Sequence, residues 1–320
     1  MKKMGSKTRH YFSGYINRRR FFKDTAASAA GLILGGAFME MADERSSPSS
    51  FDIMKEVRKY RKINAHEHVS PVNDPSSLID MADRLGMNRL VVSLPISADS
   101  KTRATPDEFR KCNDVVAKAM KKYPDRIMGL MFLNPQYGNE SLEEIKRCID
   151  LGMIGLKVYN QVKINDPLFY PIIEKFIDLK MIILMHAHCA IGAAGMRTKY
   201  GNVQPGASNP DDFAEAAERY PEAMFQYAHT GGGGDWEYAC KAMKKYKNIY
   251  VDTSGSNNEG GMIDYVLKYM GEDRLFFGTD GSYYQGVGNI LDSALSEGQM
   301  RKIFFENFNN ILRRSGNNVN

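Results

Sequence analysis

From residue 51 onward, short apolar runs alternate with longer stretches whose apolar positions recur every three or four residues. Runs of this kind, bounded by turn residues, read as strands buried on both faces; the longer stretches read as helices packed against them. The pattern predicts a short helix over 51–61. Strands follow at 62–69, 89–95, 126–134, 154–160, 181–188, 224–230, 249–254 and 274–280. Between them fall helices at about 77–86, 105–123, 139–152, 166–180, 209–220, 235–246 and 261–270, with a last one at about 296–313. Several starts are spelled out locally. Thr105-Pro106-Asp107-Glu108 offers a cap, a proline at the first helical position and an acidic first turn. Asn209-Pro210-Asp211, Asp166-Pro167, Asn139 and Asp235 read as further starts.

Eight apolar strands alternating with eight helices predict an α/β protein of the (β/α)8 barrel type, with no accessory β-sandwich. The alternative is an open doubly wound sheet. It loses ground because no Gly-x-Gly-x-x-Gly follows the first strand. The run Gly231–Gly234 lacks the Lys and Ser/Thr of a phosphate loop and reads as a tight turn.

A barrel gathers the C-terminal ends of its strands at one mouth. Reading those ends gives His66 and His68, Lys157, His186 and His188, His229 and Asp280. His66 and His68 stand two apart in a strand, so both imidazoles share a face and can grip one ion. Glu67 between them alternates to the other face and reads as packed against a barrel partner. Five of the six histidines lie at strand ends, and the sixth, His10, lies near the N-terminus. That placement points to a metal centre.

Charge narrows the partners. The formal net charge is +5, but residues 1–42 hold eight basic and two acidic side chains, which leaves the remainder slightly acidic. The body therefore offers no case for nucleic acid. The leader, Asn17-Arg18-Arg19-Arg20-Phe21-Phe22-Lys23 followed by a mildly apolar run from Ala26 to Phe38, resembles a twin-arginine export signal. The apolar run is too short for a stable membrane span. The expected organisation is a signal over 1–45, a linker and short helix over 46–61, the barrel over 62–313 and a flexible tail over 314–320, with export to the periplasm or beyond. Cys112, Cys148, Cys189 and Cys240 show no paired spacing and read as free buried thiols.

Taken together, Asn64-Ala65-His66-Glu67-His68, Gly155-Leu156-Lys157, His186, Ala228-His229-Thr230-Gly231-Gly232 and Phe277-Gly278-Thr279-Asp280 resemble the amidohydrolase superfamily. More narrowly they resemble its amidohydrolase-2 branch, which includes aminocarboxymuconate-semialdehyde decarboxylase and related lactonases. Glu306-Asn307-Phe308-Asn309-Asn310-Ile311-Leu312 resembles that branch's closing helix. The resemblance implies that His66, His68, His186 and Asp280 bind one divalent ion, with zinc expected, and that His229 is the catalytic histidine. Imidazoles plus a carboxylate suit zinc, whose bound water loses its proton near neutral pH. Asp280 would take up and return that proton.

Some assignments stay open at this stage. His188 shares a face with His186 and is an alternative ligand, or a contact to substrate. Lys157 stands where two-metal members carry a carboxylated lysine, or it pairs with a substrate carboxylate. Arg197, Lys199 and Tyr200 in the long connection after the fifth strand are candidates for an anionic substrate. Tyr283 and Tyr284 are candidates for the pocket wall, and Asp252 could orient a ligand. The partner expected is a small molecule, and association as a homodimer is left open. Hydrolysis of a small amide or lactone is the expected reaction, because export and a polar Gly-rich loop suit a wet pocket. Decarboxylation of an aromatic or unsaturated acid is the alternative, and a catalytically degenerate ligand-binding barrel a second one.

Overall fold

The computed structural model describes residues 52–98, 100, 103–189, 206–230, 235–255 and 261–319. The expected leader, Arg197, Lys199, Tyr200 and the Gly231–Gly234 turn lie outside the described residues.

Eight strands form one sheet in chain order, each parallel to the next. They are β1 (Lys62–His68), β2 (Met87–Ser93), β3 (Ile127–Phe132), β4 (Gly155–Val158), β5 (Ile182–Met185), β6 (Met224–Tyr227), β7 (Ile249–Asp252) and β8 (Leu275–Phe276). Helices alternate with the strands, as parallel crossovers require. Backbone bonds join the chain after β8 to β1. Ala65 N–H donates to Phe277 C=O at 2.8 Å, and Asp280 N–H donates to His66 C=O at 2.8 Å. The fold is thus the expected (β/α)8 barrel.

Two cores hold it. Outward-facing strand residues such as Val92, Phe132, Phe225 and Phe277 pack under the helices. Inward-facing Ile63, Val91, Leu130, Leu184 and Phe276 fill the barrel interior. Burial of this kind supplies roughly 25 cal/mol per Å² of apolar surface. Helix starts follow the local chemistry. Thr105 and Glu108 form a reciprocal capping box ahead of Pro106–Lys122, and Asn209 with Asp212 does the same ahead of Pro210–Arg219. Asn139 is not a cap, because the helix Gly138–Asp150 already includes it and Tyr137 precedes it.

Other departures have physical causes. β5 stops at Met185, and beyond it the chain continues through isolated bridges, one of which joins Ala187 to Ser208. β8 is two residues long because its continuation bonds to β1 outside a regular ladder. The helix Tyr283–Leu291 goes unread in the sequence because Gly286 and Gly288 lower its propensity; burial of Val287 and Ile290 secures it. The closing helix is interrupted by a π turn over Lys302–Glu306, and Ile303 C=O accepts Phe277 N–H at 3.0 Å. The segment expected to trail as a tail is held at its end. Asn309 Nδ2 donates to Val319 C=O at 3.1 Å, and Val319 N–H donates to Asn309 Oδ1 at 2.7 Å. All four cysteines are buried, and none is in a disulfide. No described helix is long and apolar enough to cross a membrane.

Lys62, at the start of β1, is fully buried. Its ammonium donates to Val57 C=O and, at 2.9 Å, to Tyr60 C=O. Burial pulls its pKa down to about 8. Its charged form therefore costs more in the fold than in the unfolded chain. Between about pH 8 and the ordinary lysine value the unfolded chain binds more protons, so stability rises with pH in that window. Lys62→Met should remove its share of this rise, on the order of 2–3 kcal/mol. Urea midpoints between pH 7 and pH 10.5 check it; an undiminished slope in the variant refutes it.

Candidate metal centre and active site

The mouth of the barrel is built around a carboxylate at the end of β7. Asp252 is fully buried and receives five donors. His66 Nδ1–H and Gln226 Nε2–H reach Oδ2 at 3.0 and 2.8 Å. Ser254 Oγ–H, Ser254 N–H and His229 N–H reach Oδ1 at 2.6, 3.1 and 3.1 Å. With Nδ1 of His66 committed to Asp252, its Nε2 lone pair is turned into the mouth. The chain after β8 passes tightly here. A Cβ added at Gly278 would lie 3.1 Å from the Cβ atoms of both His66 and Asp252, so only glycine fits without displacement.

His68, half-buried, is oriented from the other side. Its Nδ1 faces the Ser93 carbonyl at 3.3 Å and the Ser93 hydroxyl at 3.1 Å. Its Nε2 lies 3.0 Å from Asp280 Oδ1. Asp280 sits at φ +44° and His229 at φ +67°, left-handed conformations that a side-chain-bearing residue keeps only when its surroundings enforce them. For Asp280 the enforcement comes from Glu67. Thr279 Oγ1–H and Gly281 N–H, the neighbours of Asp280, donate to Glu67 Oε2 at 2.8 and 3.2 Å, while His68 N–H donates to Oε1 at 2.8 Å. Asn64 completes the brace, donating to Thr279 Oγ1 at 2.6 Å and accepting from Thr279 N–H at 3.0 Å. Glu67 does face away from the histidines, as expected. It is more than packing, since it fixes the turn that carries Asp280.

His186 and His229 lie alongside. His186 Nδ1 is 2.9 Å from His229 Nε2, and Tyr159 stacks on the His186 ring with centroids 4.1 Å apart and planes 14° apart. His229 Nδ1 is 3.1 Å from Ser254 Oγ and 3.5 Å from Asp280 Oδ2. Lys157, fully buried, places Nζ 2.9 Å from His66 Nε2.

Among the described residues, His66, His68 and Asp280 each offer a ligand atom, and these atoms lie within 4.8 Å of one another. Two imidazoles held at Nδ1, with Nε2 converging on a carboxylate, fit a divalent ion. Burial first, then Lys157, keeps His66 below the usual histidine range. Burial, His186 and His66 depress His229 much further. Both imidazoles are therefore neutral and able to ligate or accept a proton. Burial tends to raise Asp280, but the His68 hydrogen bond, with the imidazoles of His66 and His229 close by, outweighs it and holds the carboxyl below its ordinary range. Burial brings Lys157 down to about 8.

His66, His68, Lys157, His186, His229 and Asp280 do converge. His186 stands against His229 outside the metal-sized set, as does His188, which is half-buried and whose N–H donates to Ser208 C=O at 2.9 Å. Tyr283 is drawn to Glu67, and burial together with that carboxylate pushes its phenol up. Tyr284 is exposed. Ser93, Tyr159 and Ser254 were not anticipated. Each stands at a strand end, and Tyr159 and Ser254 follow Lys157 and Asp252 by two residues, a spacing that carries the signal.

A family model described as amidohydrolase matches residues 63–307. A 2-amino-3-carboxymuconate-6-semialdehyde decarboxylase of Dictyostelium discoideum is 24% identical over 227 residues, 62% of this chain and 62% of that protein. A gamma-resorcylate decarboxylase of a Polaromonas species is 24% identical over 74% of this chain and 89% of its own length. One from a Rhizobium species is 31% identical over 63% and 75% respectively. Among solved structures, a Rhizobium 2,6-dihydroxybenzoate decarboxylase superposes with TM-score 0.64 at 18% identity, covering 80% of this chain and all of that one. A Polaromonas dihydroxybenzoic acid decarboxylase, with bound manganese and 2-nitroresorcinol, gives TM-score 0.63 at 19% identity, covering 79% and 97%. These relatives are decarboxylases, and that overturns the expectation of an amide or lactone hydrolase. The donor set is compatible with either reaction, and neither a polar loop nor an export signal chooses between them. Zinc is likewise not singled out; one divalent ion fits.

The Glu67 brace yields a prediction. Glu67→Gln keeps the size but loses the charge that gathers the Thr279 and Gly281 donors. Affinity for a divalent ion should fall about 10–100-fold, the usual effect of removing support behind a ligand, with the circular dichroism spectrum unchanged. Titration with a chromophoric competitor measures it. Wild-type affinity in the variant would show that Asp280 is held without Glu67.

Proposed function

This chain belongs to the amidohydrolase family, and we propose that within it the chain is a metal-dependent, non-oxidative decarboxylase of a small aromatic or unsaturated carboxylic acid. The observation that carries this reading is a metal-sized His66–His68–Asp280 set in a chain whose relatives release carbon dioxide from such acids.

His66, His68 and Asp280 would hold the ion, with His186 beside them. When bound, the ion supplies a Lewis-acidic point for the substrate carboxylate and a neighbouring oxygen. The rest of the work belongs to the chain. Lys157 offers a buried positive charge to an anionic substrate, where low polarity makes it worth more than in water. Tyr159, stacked on His186, supplies a flat apolar wall against which a planar acid can lie. The bond between the carboxyl carbon and its neighbour breaks, the electron pair stays on the neighbour, and one proton replaces carbon dioxide there. Asp280 and His229, whose side chains approach to 3.5 Å, are placed to move that proton. Asp280 is a carboxylate at rest and the substrate enters as its anion, so the proton passed on is drawn from solvent, one for each carbon dioxide released.

A panel of hydroxybenzoate-type and unsaturated acids, assayed for carbon dioxide, tests the reading. The wild type should release carbon dioxide stoichiometrically with the decarboxylated product, and a chelator should abolish it. Asp280→Asn should lower turnover beyond the factor of about 10²–10⁴ ascribed to proton transfer, because a metal ligand is weakened too. No carbon dioxide from any acid, in a metal-loaded sample, rejects the proposal.

A further inference from the structure

One hydroxyl touches more of the site than any sequence pattern assigns to it. Ser254 is buried at 1% exposure. Its Oγ lies 2.6 Å from Asp252 Oδ1, 3.1 Å from His229 Nδ1, 3.2 Å from His66 Nδ1 and 3.2 Å from the His229 backbone nitrogen. A serine hydroxyl has one proton and two lone pairs. An ionised carboxylate only accepts, and the 2.6 Å contact is the short bond expected of O–H···O⁻. The serine proton is therefore committed to Asp252. Any ring nitrogen facing Ser254 must then bring its own hydrogen.

We infer that Ser254 is a positioning residue that, locked to Asp252, fixes His229 in its Nδ1–H tautomer and so makes Nε2 the atom that receives or delivers the proton. The other neighbour of that nitrogen agrees, since Asp280 Oδ2, 3.5 Å away, is also an acceptor. His66 obeys the same rule from the other carboxylate oxygen, donating from Nδ1 to Asp252 Oδ2 at 3.0 Å. The consequence passes one residue further. His229 Nε2 carries a lone pair, so His186 Nδ1, 2.9 Å away, carries the hydrogen between them and its own Nε2 is left basic. One serine proton thus decides which nitrogen of His229 and of His186 is basic, while Asp252 itself decides His66. A neutral imidazole in the wrong tautomer presents a hydrogen where the reaction needs a lone pair, a loss of function without a loss of fold.

The tautomer assignment stands on geometry alone; its effect on turnover rests on the decarboxylase reading above. The full-length chain, labelled with ¹⁵N-histidine and either metal-free or loaded with diamagnetic zinc, is recorded in long-range ¹H–¹⁵N correlation spectra. His229→Gln identifies the His229 signals. Wild-type His229 should show a protonated Nδ1 and an unprotonated Nε2. Ser254→Ala should convert this to a mixture or to the opposite tautomer, and Ser254→Thr should restore it. In the carbon dioxide assay Ser254→Ala should lower kcat about 10–100-fold, the scale of lost support behind a site histidine, and leave KM within twofold. If the alanine variant fails to fold, Ser254→Cys, whose thiol is a weak donor and acceptor, is read in the same way. An Nε2–H tautomer in the wild type, or an unchanged Nδ1–H tautomer in the folded alanine or cysteine variant, overturns the inference. Absence of carbon dioxide release with the tautomer results intact would instead remove the decarboxylase reading and leave Ser254 in its role.

Discussion

A carboxylate buried in a barrel persists only if donors replace the water it has lost. Asp252 is such a group, and much of the mouth is arranged to satisfy it. Its five donors come from β1, from β6 and the residue His229 two positions beyond it, and from Ser254 just past its own strand. Burial tends to raise its pKa, but the interaction and hydrogen bond with His66, together with His229 and Ser254, hold it below the ordinary carboxyl range. The charge therefore stays, and because it stays, the orientations around it are not free. His66 can face the ion only with Nε2, and the backbone of His229 is drawn into a left-handed conformation that aims its ring across the mouth.

Strand β1 extends this constraint to the opposite wall. Its register shifts between Asn64 and Glu67, so the histidines turn inward while Asn64 and Glu67 both bind the Thr279–Gly281 turn. Asp280 is thus held against His68 by residues that never reach the reacting atoms. The same segment is steadied from behind by the carbonyl that the π turn leaves for Phe277. Side chains arranged in this way on rigid elements give a site with little freedom to relax, which suits the proposed reaction, in which a flat acid is held still while a carbon–carbon bond breaks.

Much of this was legible in the residues. Apolar strands at regular intervals specify the barrel, and histidines at their ends stand out because His is scarce and its placement is not random. Asp280 was readable for the same reason. Ser254, Ser93 and Tyr159 were not, because Ser and Tyr are common and act here only through contacts made after folding. Fold boundaries failed where tertiary bonds replace local pattern: β8 shrinks to Leu275–Phe276 because its continuation bonds across to β1. The glycines of Tyr283–Leu291 hid a helix that packing makes. The choice between hydrolysis and decarboxylation was out of reach for another reason, since one donor set serves both chemistries.

The contacts that seat Asp280 join residues far apart in the chain; Asn64 and Thr279 are separated by 215 positions. His66 and His68 leave the ribosome early and Asp280 late. At about 5–20 residues per second, the pair waits roughly 10–40 s for its carboxylate. For most of that interval the nascent chain displays two adjacent imidazoles before Asp252 has been made, and throughout it the Glu67 brace lacks the Thr279–Gly281 turn. Assembly of the full donor set is therefore a late event in the life of the polypeptide, and a chain that stalls before β8 carries its histidines without its carboxylate.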